Sequence, residues 1–150
     1  MQQPDVAFTR SLPKIELHAH LTGSISRSTL HDIWLQRKRA DESFALEDPL
    51  EAIPHGEGSI DVVTFFPIFD KYIYSLIDNV EAIQFATRSV LDKFMDDGVA
   101  YIELRTTPRA IPAHGISKEE YVRAVLEATT NFMNETDRNC LLYTSPSPRD

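Results

Sequence analysis

The chain has 150 residues, of which 42% are hydrophobic and 25% are charged, a composition typical of one soluble globular domain. With 15 basic and 23 acidic residues, its formal charge is −8. This charge excludes broad binding to nucleic acid polymers or anionic membranes, because both require a basic face. No apolar run reaches the roughly 20 residues of a membrane-spanning helix. Since the N-terminus has no apolar signal-peptide core and the chain has one cysteine, Cys140, we expect a cytoplasmic protein without disulfides.

The first predicted strand covers residues 14–21, where apolar and polar residues alternate with the period of a strand. Residues 22–24 then form a turn. A helix is predicted to begin at Ser26 or Ser28 and to end near Arg39. Its apolar side is expected to consist of Leu30, Ile33 and Trp34.

The region after this helix is predicted to contain a long loop and a buried helix. Residues 40–60 carry Asp, Glu, Pro and Gly, which is typical of a loop. A dense apolar run predicts a mostly buried helix over residues 61–77, with Pro67 tolerated in its first turns. Three histidines of the chain stand alone in the sequence and are expected to be solvated: His31, His55 and His114.

A second helix is predicted over residues 80–96, with Asp78 and Glu81 at its start and Gly98 closing it. The segment VAYIELR, residues 99–105, predicts the second strand. One face of this strand is expected to carry Ile102 and Leu104, and the other Tyr101, Glu103 and Arg105.

After a loop over residues 106–116, the last helix has a clear start. Ser117 and Glu120 fit a capping box, while Ile116 and Tyr121 fit a hydrophobic staple. The apolar stripe of this helix is predicted to contain Val122, Val125, Leu126, Thr129 and Met133. Strand, helices, strand and helix in this order predict the start of an α/β fold with parallel strands.

The C-terminal text LLYTSPSPRD has a different character. A third strand is due here and LLYT could begin one, but Ser-Pro-Ser-Pro-Arg-Asp carries neither period nor core residues. Residues 141–150 are therefore expected to be a non-native tail, such as translated adapter sequence or a misjoined reading frame, or else a disordered terminus.

His18 and His20 are the candidate metal ligands of the first strand. Residues i and i+2 of a strand point to the same side, about 6.6 Å apart at Cα, so two imidazoles can converge on one ion. Zinc accepts such ligands at 2.0–2.1 Å, but a catalytic zinc needs a third protein ligand and an open position for water. The alternative is one ordinary interior histidine beside one surface histidine.

The segment LPKIELHAHLTGS resembles the first-strand motif of the adenosine deaminase family, in which Leu-His-x-His-Leu precedes a turn containing glycine. Further on, FMDDGVAYIELRTTPR resembles the family's second-strand segment, and VVTFFPIFDKYI is similar to the apolar helix beside its purine pocket. The resemblance covers residues 10–138. It is greatest for the adenosine deaminase-like branch, the N6-methyl-AMP deaminases.

The resemblance implies that residues 1–140 are the N-terminal part of a metal-dependent (β/α)8 TIM barrel, with its first two βα units and extra helices. It implies one Zn²⁺ per full-length subunit, bound in part by His18 and His20, and hydrolytic removal of an amine from purine C6. It also implies a small-molecule partner, a purine nucleotide or nucleoside, and a monomeric full-length enzyme. The implied substrate-binding residues are Thr22, Gly23, Val62, Phe65, Phe69, Thr106, Thr107 and Arg109.

The family's third zinc-binding histidine and its catalytic glutamate, histidine and aspartate lie on later strands. A (β/α)8 barrel takes about 250 residues, so the 150-residue chain alone is expected to contain no catalytic residue, to be inactive and to bind zinc poorly. Glu16 and Glu103 are not substitutes for the missing glutamate and are expected to pair with Lys14 or Arg105.

Thr22 bears on the substrate. Adenosine deaminases carry an aspartate at this position, which accepts a hydrogen bond from the nucleoside 5′-hydroxyl. Against a 5′-phosphate an aspartate would be repulsive by roughly 4 kcal/mol at 4 Å and an effective dielectric constant of 20. Threonine removes that charge and offers a hydroxyl donor, and Arg109 is a candidate contact for phosphate oxygens.

Three alternatives stay open from the sequence. The first is an adenosine or adenine deaminase with relaxed sugar recognition. The second is another metal-dependent barrel hydrolase, since His-x-His on a first strand also occurs in wider amidohydrolases. The third is a non-catalytic truncated fragment.

Overall fold

The computed structural model describes residues 5–53, 66–135 and 141–142, apart from the side chains of Phe69, Leu141 and Leu142. None of the described helices is long and apolar enough to cross a membrane. The elements in chain order are α1 (Val6–Ser11), β1 (Lys14–His20), a 3-10 turn (Thr22–Ser24), α2 (Arg27–Ala40), α3 (Pro49–Ala52), a π-helix (Phe69–Ile73), α4 (Tyr74–Leu76), α5 (Val80–Asp96), β2 (Val99–Arg105), a 3-10 turn (Pro112–His114), α6 (Lys118–Glu135) and β3 (Leu141–Leu142).

The sheet has the order β1-β2-β3, and both strand pairs are parallel. This confirms the parallel α/β arrangement that the sequence predicts. The pairing of β1 with β2 continues past the strands, because the Leu21 amide donates to the Arg105 carbonyl at 2.7 Å. The carboxyl ends of the two strands therefore lie side by side. Leu141 and Leu142 pair with β2, and the assignment of residues 141–150 to a separate tail stays a prediction.

The core lies between one face of the sheet and the helices. Ile102 and Leu104 of β2 are buried, as predicted, and α5 and α6 pack against each other beside them. Both helices contribute apolar side chains at helical spacing to one cluster. Its members include Ile83, Ala86, Val90, Leu91, Tyr121, Ala124, Val125 and Phe132.

β1 is less covered than β2. Ala19 is buried, whereas Ile15 is 69% and Leu17 is 56% exposed. The register between the two strands also shifts between Glu16 and Ala19, so the predicted alternation is interrupted within β1. Parallel strands are normally covered on both faces, so the first half of β1 has an apolar face that the described residues do not cover.

Two of the three predicted helix starts have the expected caps. The Ser26 side chain accepts from the Thr29 amide at 3.2 Å at the start of α2. At α6, Ser117 and Glu120 exchange hydrogen bonds of 2.7 and 3.1 Å, which is the predicted capping box. The hydrogen bond from the Ser117 amide, followed by that from its side chain, lowers the pKa of Glu120.

The expected cap of α5 is wrong. Asn79 caps this helix by accepting from the Ala82 amide at 2.8 Å. Asp78 instead pairs with Arg37 of α2 and with His114. The side chain of Asp78, which the local pattern predicts as the cap, is therefore used in long-range ion pairs.

The buried face of α6 also differs from the predicted stripe. The helix buries Tyr121, and Leu126 of the predicted stripe is 42% exposed. Small residues fit against α5 where the sequence pattern favours the larger apolar ones. The observed buried face consists of Tyr121, Ala124, Val125, Ala128, Thr129 and Phe132.

The histidines outside β1 are not isolated in the structure. His31 Nδ1 lies 2.7 Å from Asp48 Oδ1, and its ring stacks on Trp34 at 5.8 Å between centroids. His114 Nε2 lies 3.2 Å from Asp78 Oδ2. The expectation of a solvated side chain is therefore wrong for His31, which is 22% exposed, whereas the 41% exposure of His114 agrees with it. His55 lies outside the described residues.

The region predicted as one loop and one helix is more varied where it is described. Asp48 begins the short helix α3 by accepting from the Leu50 amide at 2.9 Å. Further on, Phe69–Ile73 is a π-helix, which the sequence did not predict. Residues 54–65, including the first part of the predicted buried helix, lie outside the described residues.

A matched pair of glycine substitutions tests the packing of α1 against the turn before β2. Gly98 has φ +83°, and an added Cβ would lie 2.4 Å from the Arg10 carbonyl oxygen and 3.0 Å from that of Leu12. Gly115 has φ +68° with nothing within 4 Å. We expect Gly115→Ala to lower the free energy of unfolding by about 1 kcal/mol through backbone strain alone.

Gly98→Ala should cost about 2 kcal/mol more than Gly115→Ala, because two backbone carbonyls must move. Chemical denaturation of both variants measures the difference. Equal losses would contradict the close approach of α1 to the turn before β2.

Candidate functional site

The two histidines of β1 converge at the carboxyl end of the strand. Their Nε2 atoms are 3.1 Å apart, and the ring centroids are 5.0 Å apart with the planes tilted by 48°. Two ligands of one tetrahedral zinc at 2.0–2.1 Å lie about 3.3–3.4 Å from each other. His18 and His20 therefore fit two positions around a single ion with little adjustment.

The same geometry also fits a hydrogen bond between the two imidazoles, in which the ring tautomers determine which nitrogen donates and which accepts. Both side chains are exposed, so the pair is not held in place by packing. The strand itself fixes the spacing. Glu16 supports it, since its Oε1 accepts from the His18 backbone amide at 2.9 Å.

The two glutamates of the strands are not in the expected ion pairs. Among the described residues, neither Glu16 nor Glu103 pairs with Lys14 or Arg105. Glu103 accepts from the Tyr101 hydroxyl at 3.1 Å, and the Lys14 ammonium donates to the Asp97 carbonyl. The Glu16 carboxylate instead accepts from the backbone of the histidine strand, a contact that the alternation of the sequence does not indicate.

A third metal ligand is not found beside the pair. Within residues 5–53, 66–135 and 141–142, no three His, Cys, Asp or Glu side chains form a group that could hold a metal ion. The described residues thus place two histidines at a spacing that suits zinc, whereas a catalytic zinc site needs three protein ligands.

Thr22 and Gly23 directly follow the histidine strand in the 3-10 turn. Thr22 is partly exposed and Gly23 is exposed. A Cβ added to Gly23 would lie 3.6 Å from His20 Cβ, an ordinary contact, and its φ is not in the left-handed region. Gly23 therefore lies next to the histidine pair in a conformation that alanine can also adopt.

The residues after β2 have partners within the fold. Thr106 Oγ1 lies 3.1 Å from the hydroxyl of Tyr121. Burial raises the pKa of Tyr121, while Thr106 and the charge of Arg109 act in the opposite direction. The Arg109 guanidinium donates to the Ile77 carbonyl and lies 4.5 Å from the ring centroid of Tyr74. Thr107 is exposed.

The predicted purine-pocket residues are only partly covered by the structure. Val62 and Phe65 lie outside the described residues, and Phe69 is described as backbone in the π-helix. The contacts of Arg109 and Asp78 were missed by sequence reasoning. No local signal could have found them, because Arg37 and Asp78 are 41 positions apart and Arg109 and Ile77 are 32 apart.

The parallel strands with intervening helices have the fold of the N-terminal portion of (β/α)8 barrel enzymes, with a histidine pair at the carboxyl end of the first strand. Active sites of such barrels lie at this end of the strands. The chain belongs to the adenosine deaminase family, whose model matches residues 13–143.

Within this family the chain is similar to N6-methyl-AMP deaminases. It is 42% identical to the N6-methyl-AMP deaminase of Danio rerio over 128 residues, which cover 85% of this chain and 35% of the relative. A crystal structure of an Arabidopsis N6-mAMP deaminase superposes with a TM-score of 0.77 at 30% identity, covering 92% of this chain and 41% of that one.

A structure of an ADAL–IMP complex superposes with a TM-score of 0.75 at 28% identity, over 93% of this chain and 42% of that one. The chain thus spans about a third of the length of the curated relatives it matches. Those relatives therefore contain further elements beyond the matched segment.

The histidine pair leads to a prediction about metal affinity. We expect the 150-residue chain to bind zinc with a dissociation constant no tighter than about 1 μM, because two imidazoles replace the three or four ligands of tight sites. Competition with a chromophoric chelator measures this affinity. His18→Ala and His20→Ala should each abolish the binding.

His31→Asn serves as the control, since it removes an imidazole outside the pair and should leave zinc binding unchanged. Stoichiometric binding far tighter than micromolar would contradict binding by two imidazoles alone.

Proposed function

We propose that this chain is the N-terminal part of a zinc-dependent enzyme that hydrolytically deaminates N6-methyl-AMP or a related N6-substituted purine nucleotide. The observation that carries the proposal is the 3.1 Å approach of His18 Nε2 and His20 Nε2 at the carboxyl end of β1. Similarity to proteins named N6-methyl-AMP deaminase supports the substrate class. The ADAL–IMP complex supports a purine nucleotide ligand.

His18 and His20 would supply two of the zinc ligands. Bound zinc would lower the pKa of its bound water, so that hydroxide is available near neutral pH. The chain's own contribution is to hold two imidazoles at fixed spacing on a strand, which reduces the reorganisation needed when the metal binds. Glu16 assists by holding the backbone amide of His18.

Thr22 would lie toward the 5′ end of the substrate. The hydrogen bond between Leu21 and Arg105 joins the two strand ends. Thr22 and Thr106 are the next residues of the two segments, so their backbones lie near each other. A neutral hydroxyl at Thr22 can donate to a phosphate oxygen, whereas a carboxylate would repel it. This favours a nucleotide over a nucleoside.

The remaining binding residues follow from the family resemblance. Gly23 would leave room for the ligand beside His20, and Thr107, which is exposed, would offer a further hydroxyl to the phosphate. The apolar helix would form the wall of the purine pocket through Val62, Phe65 and Phe69.

A hybrid enzyme tests the proposal. Residues 13–135 of this chain replace the matching segment of the Danio rerio relative, and folding is checked by circular dichroism. We expect the hybrid to release methylamine from N6-methyl-AMP and to lose this activity on His18→Ala. A folded hybrid that acts on adenosine faster than on N6-methyl-AMP or AMP would overturn the nucleotide assignment.

Thr22→Asp in the hybrid is the sharpest test of phosphate recognition. We expect KM for N6-methyl-AMP to rise about a hundredfold or more. The full repulsion at 4 Å would give about a thousandfold, and solvent around the partly exposed site screens part of it. Thr22→Asn is the matched neutral control and should change KM much less. Improved nucleotide turnover by Thr22→Asp would refute phosphate recognition here.

Gly23→Ala separates ligand binding from stability. The added methyl group lies at an ordinary contact distance from His20 Cβ. The free energy of unfolding of the 150-residue chain, measured by thermal denaturation, should therefore change by no more than about 0.5 kcal/mol. In the hybrid, the same variant should weaken binding of N6-methyl-AMP about tenfold, because the methyl group occupies space beside the ligand. Unchanged binding would show that the ligand does not approach Gly23.

A further inference from the structure

Two segments that are distant in sequence meet beyond the carboxyl end of β2. Arg109, in the loop after this strand, donates from its guanidinium to the backbone carbonyl of Ile77. The same guanidinium carbon lies 4.5 Å from the ring centroid of Tyr74. A planar arginine can hold a carbonyl and an aromatic face together in this way, and lysine cannot do so equally well.

Asp78 provides a second connection between the same two segments. Its Oδ2 lies 3.2 Å from Nε2 of His114, in the loop after β2, and its Oδ1 accepts from Arg37 of α2. The side chain of Asp78 is only 17% exposed. Residues 74–78 thus contact α2 through the ion pair with Arg37, and the loop after β2 through His114 and Arg109.

Residues 74–78 directly continue the π-helix. Phe69–Ile73 is followed at once by α4, whose Leu76 is fully buried and whose neighbour Ile77 is 2% exposed. The Ile77 amide closes the last turn by donating to the Ile73 carbonyl at 2.9 Å. π-Helical turns are rare and occur frequently at functional sites. The contacts of residues 74–78 therefore fix the C-terminal end of an element of this kind.

We propose that Arg109 is a positioning residue, which fixes residues 74–78 against the loop after β2 and thereby holds the π-helix that contains Phe69. This inference rests on the proposed function, in which that helix forms the wall of the purine pocket. It replaces the expectation that Arg109 binds the substrate phosphate. The guanidinium donates to Ile77 and lies over the Tyr74 ring, and in the proposed role it acts on the base end of the pocket through the helix.

The first test uses amide hydrogen exchange in the 150-residue chain. In Arg109→Gln, the Ile77 amide should exchange at least tenfold faster than in the unaltered protein, because the carbonyl contact and the ring contact are both lost. Arg109→Lys should give a smaller increase. The Leu30 amide of α2, which donates to the Ser26 carbonyl at 3.1 Å, should be unchanged in both variants.

Arg39→Gln removes an exposed arginine from the last turn of α2 and controls for the loss of charge. It should leave the exchange of the Ile77 amide unchanged. Unaltered exchange of this amide in both Arg109 variants would overturn the inference. A general acceleration that includes Leu30 in both Arg109 variants would also overturn it, by assigning the residue to global stability.

The second test separates the two roles of Arg109 in the hybrid enzyme. Inhibition constants are measured for IMP and for inosine, which lacks the phosphate. A positioning residue should raise both constants by a similar factor, about tenfold for Arg109→Gln, and leave their ratio unchanged. If Arg109 contacts the phosphate, Arg109→Gln would raise the inhibition constant for IMP but not that for inosine. A changed ratio of the two constants would therefore overturn the inference.

The outcomes for the two proposals are distinct. An unaltered hybrid that is folded but neither deaminates N6-methyl-AMP nor binds IMP would overturn the proposed function. An active hybrid in which Arg109→Gln selectively weakens IMP would leave the proposed function intact and overturn only the positioning role.

Discussion

The parallel pairing of β1 with β2 is the constraint on which the rest of the structure depends. Parallel neighbours require a long crossover connection, and here residues 21–98 provide it with several helices. The same pairing brings both carboxyl ends to one edge, where Leu21 bonds to Arg105. The segment with the histidine pair and Thr22 therefore lies beside the start of the loop that carries Arg109, although the two segments are far apart in the chain.

The histidine pair and the rest of the site differ in how much they need the surrounding fold. His18 and His20 are two positions apart on one strand, so their approach to 3.1 Å is a local property. A catalytic zinc would need a third protein ligand, and the described residues form no group of three potential ligands. The uncovered apolar face at Ile15 and Leu17 belongs to the same strand. Both features agree with the chain spanning about a third of its curated relatives.

Charged contacts between distant segments organise the region beyond the strands. Asp78 joins α2 to the loop after β2, and Arg109 joins that loop to α4. Such contacts compete with local ones for the same side chains. Asp78 is the clearest example, because its ion pairs leave the cap of α5 to Asn79. These contacts thus fix the described part of the long connection between the two parallel strands against its neighbours.

The sequence by itself determined the features that depend on neighbours within a few residues. These are the two strands, the capping box of Ser117 and Glu120, the left-handed turn at Gly98 and the shared side of His18 and His20. Each follows from fixed backbone periods or from the conformational freedom of one residue. Only the tertiary structure decided the π-helix, the buried face of α6, the pairing of His31 with Asp48 and the contacts of Arg109. Those depend on which elements meet in space, and the local pattern of residue types does not contain that information.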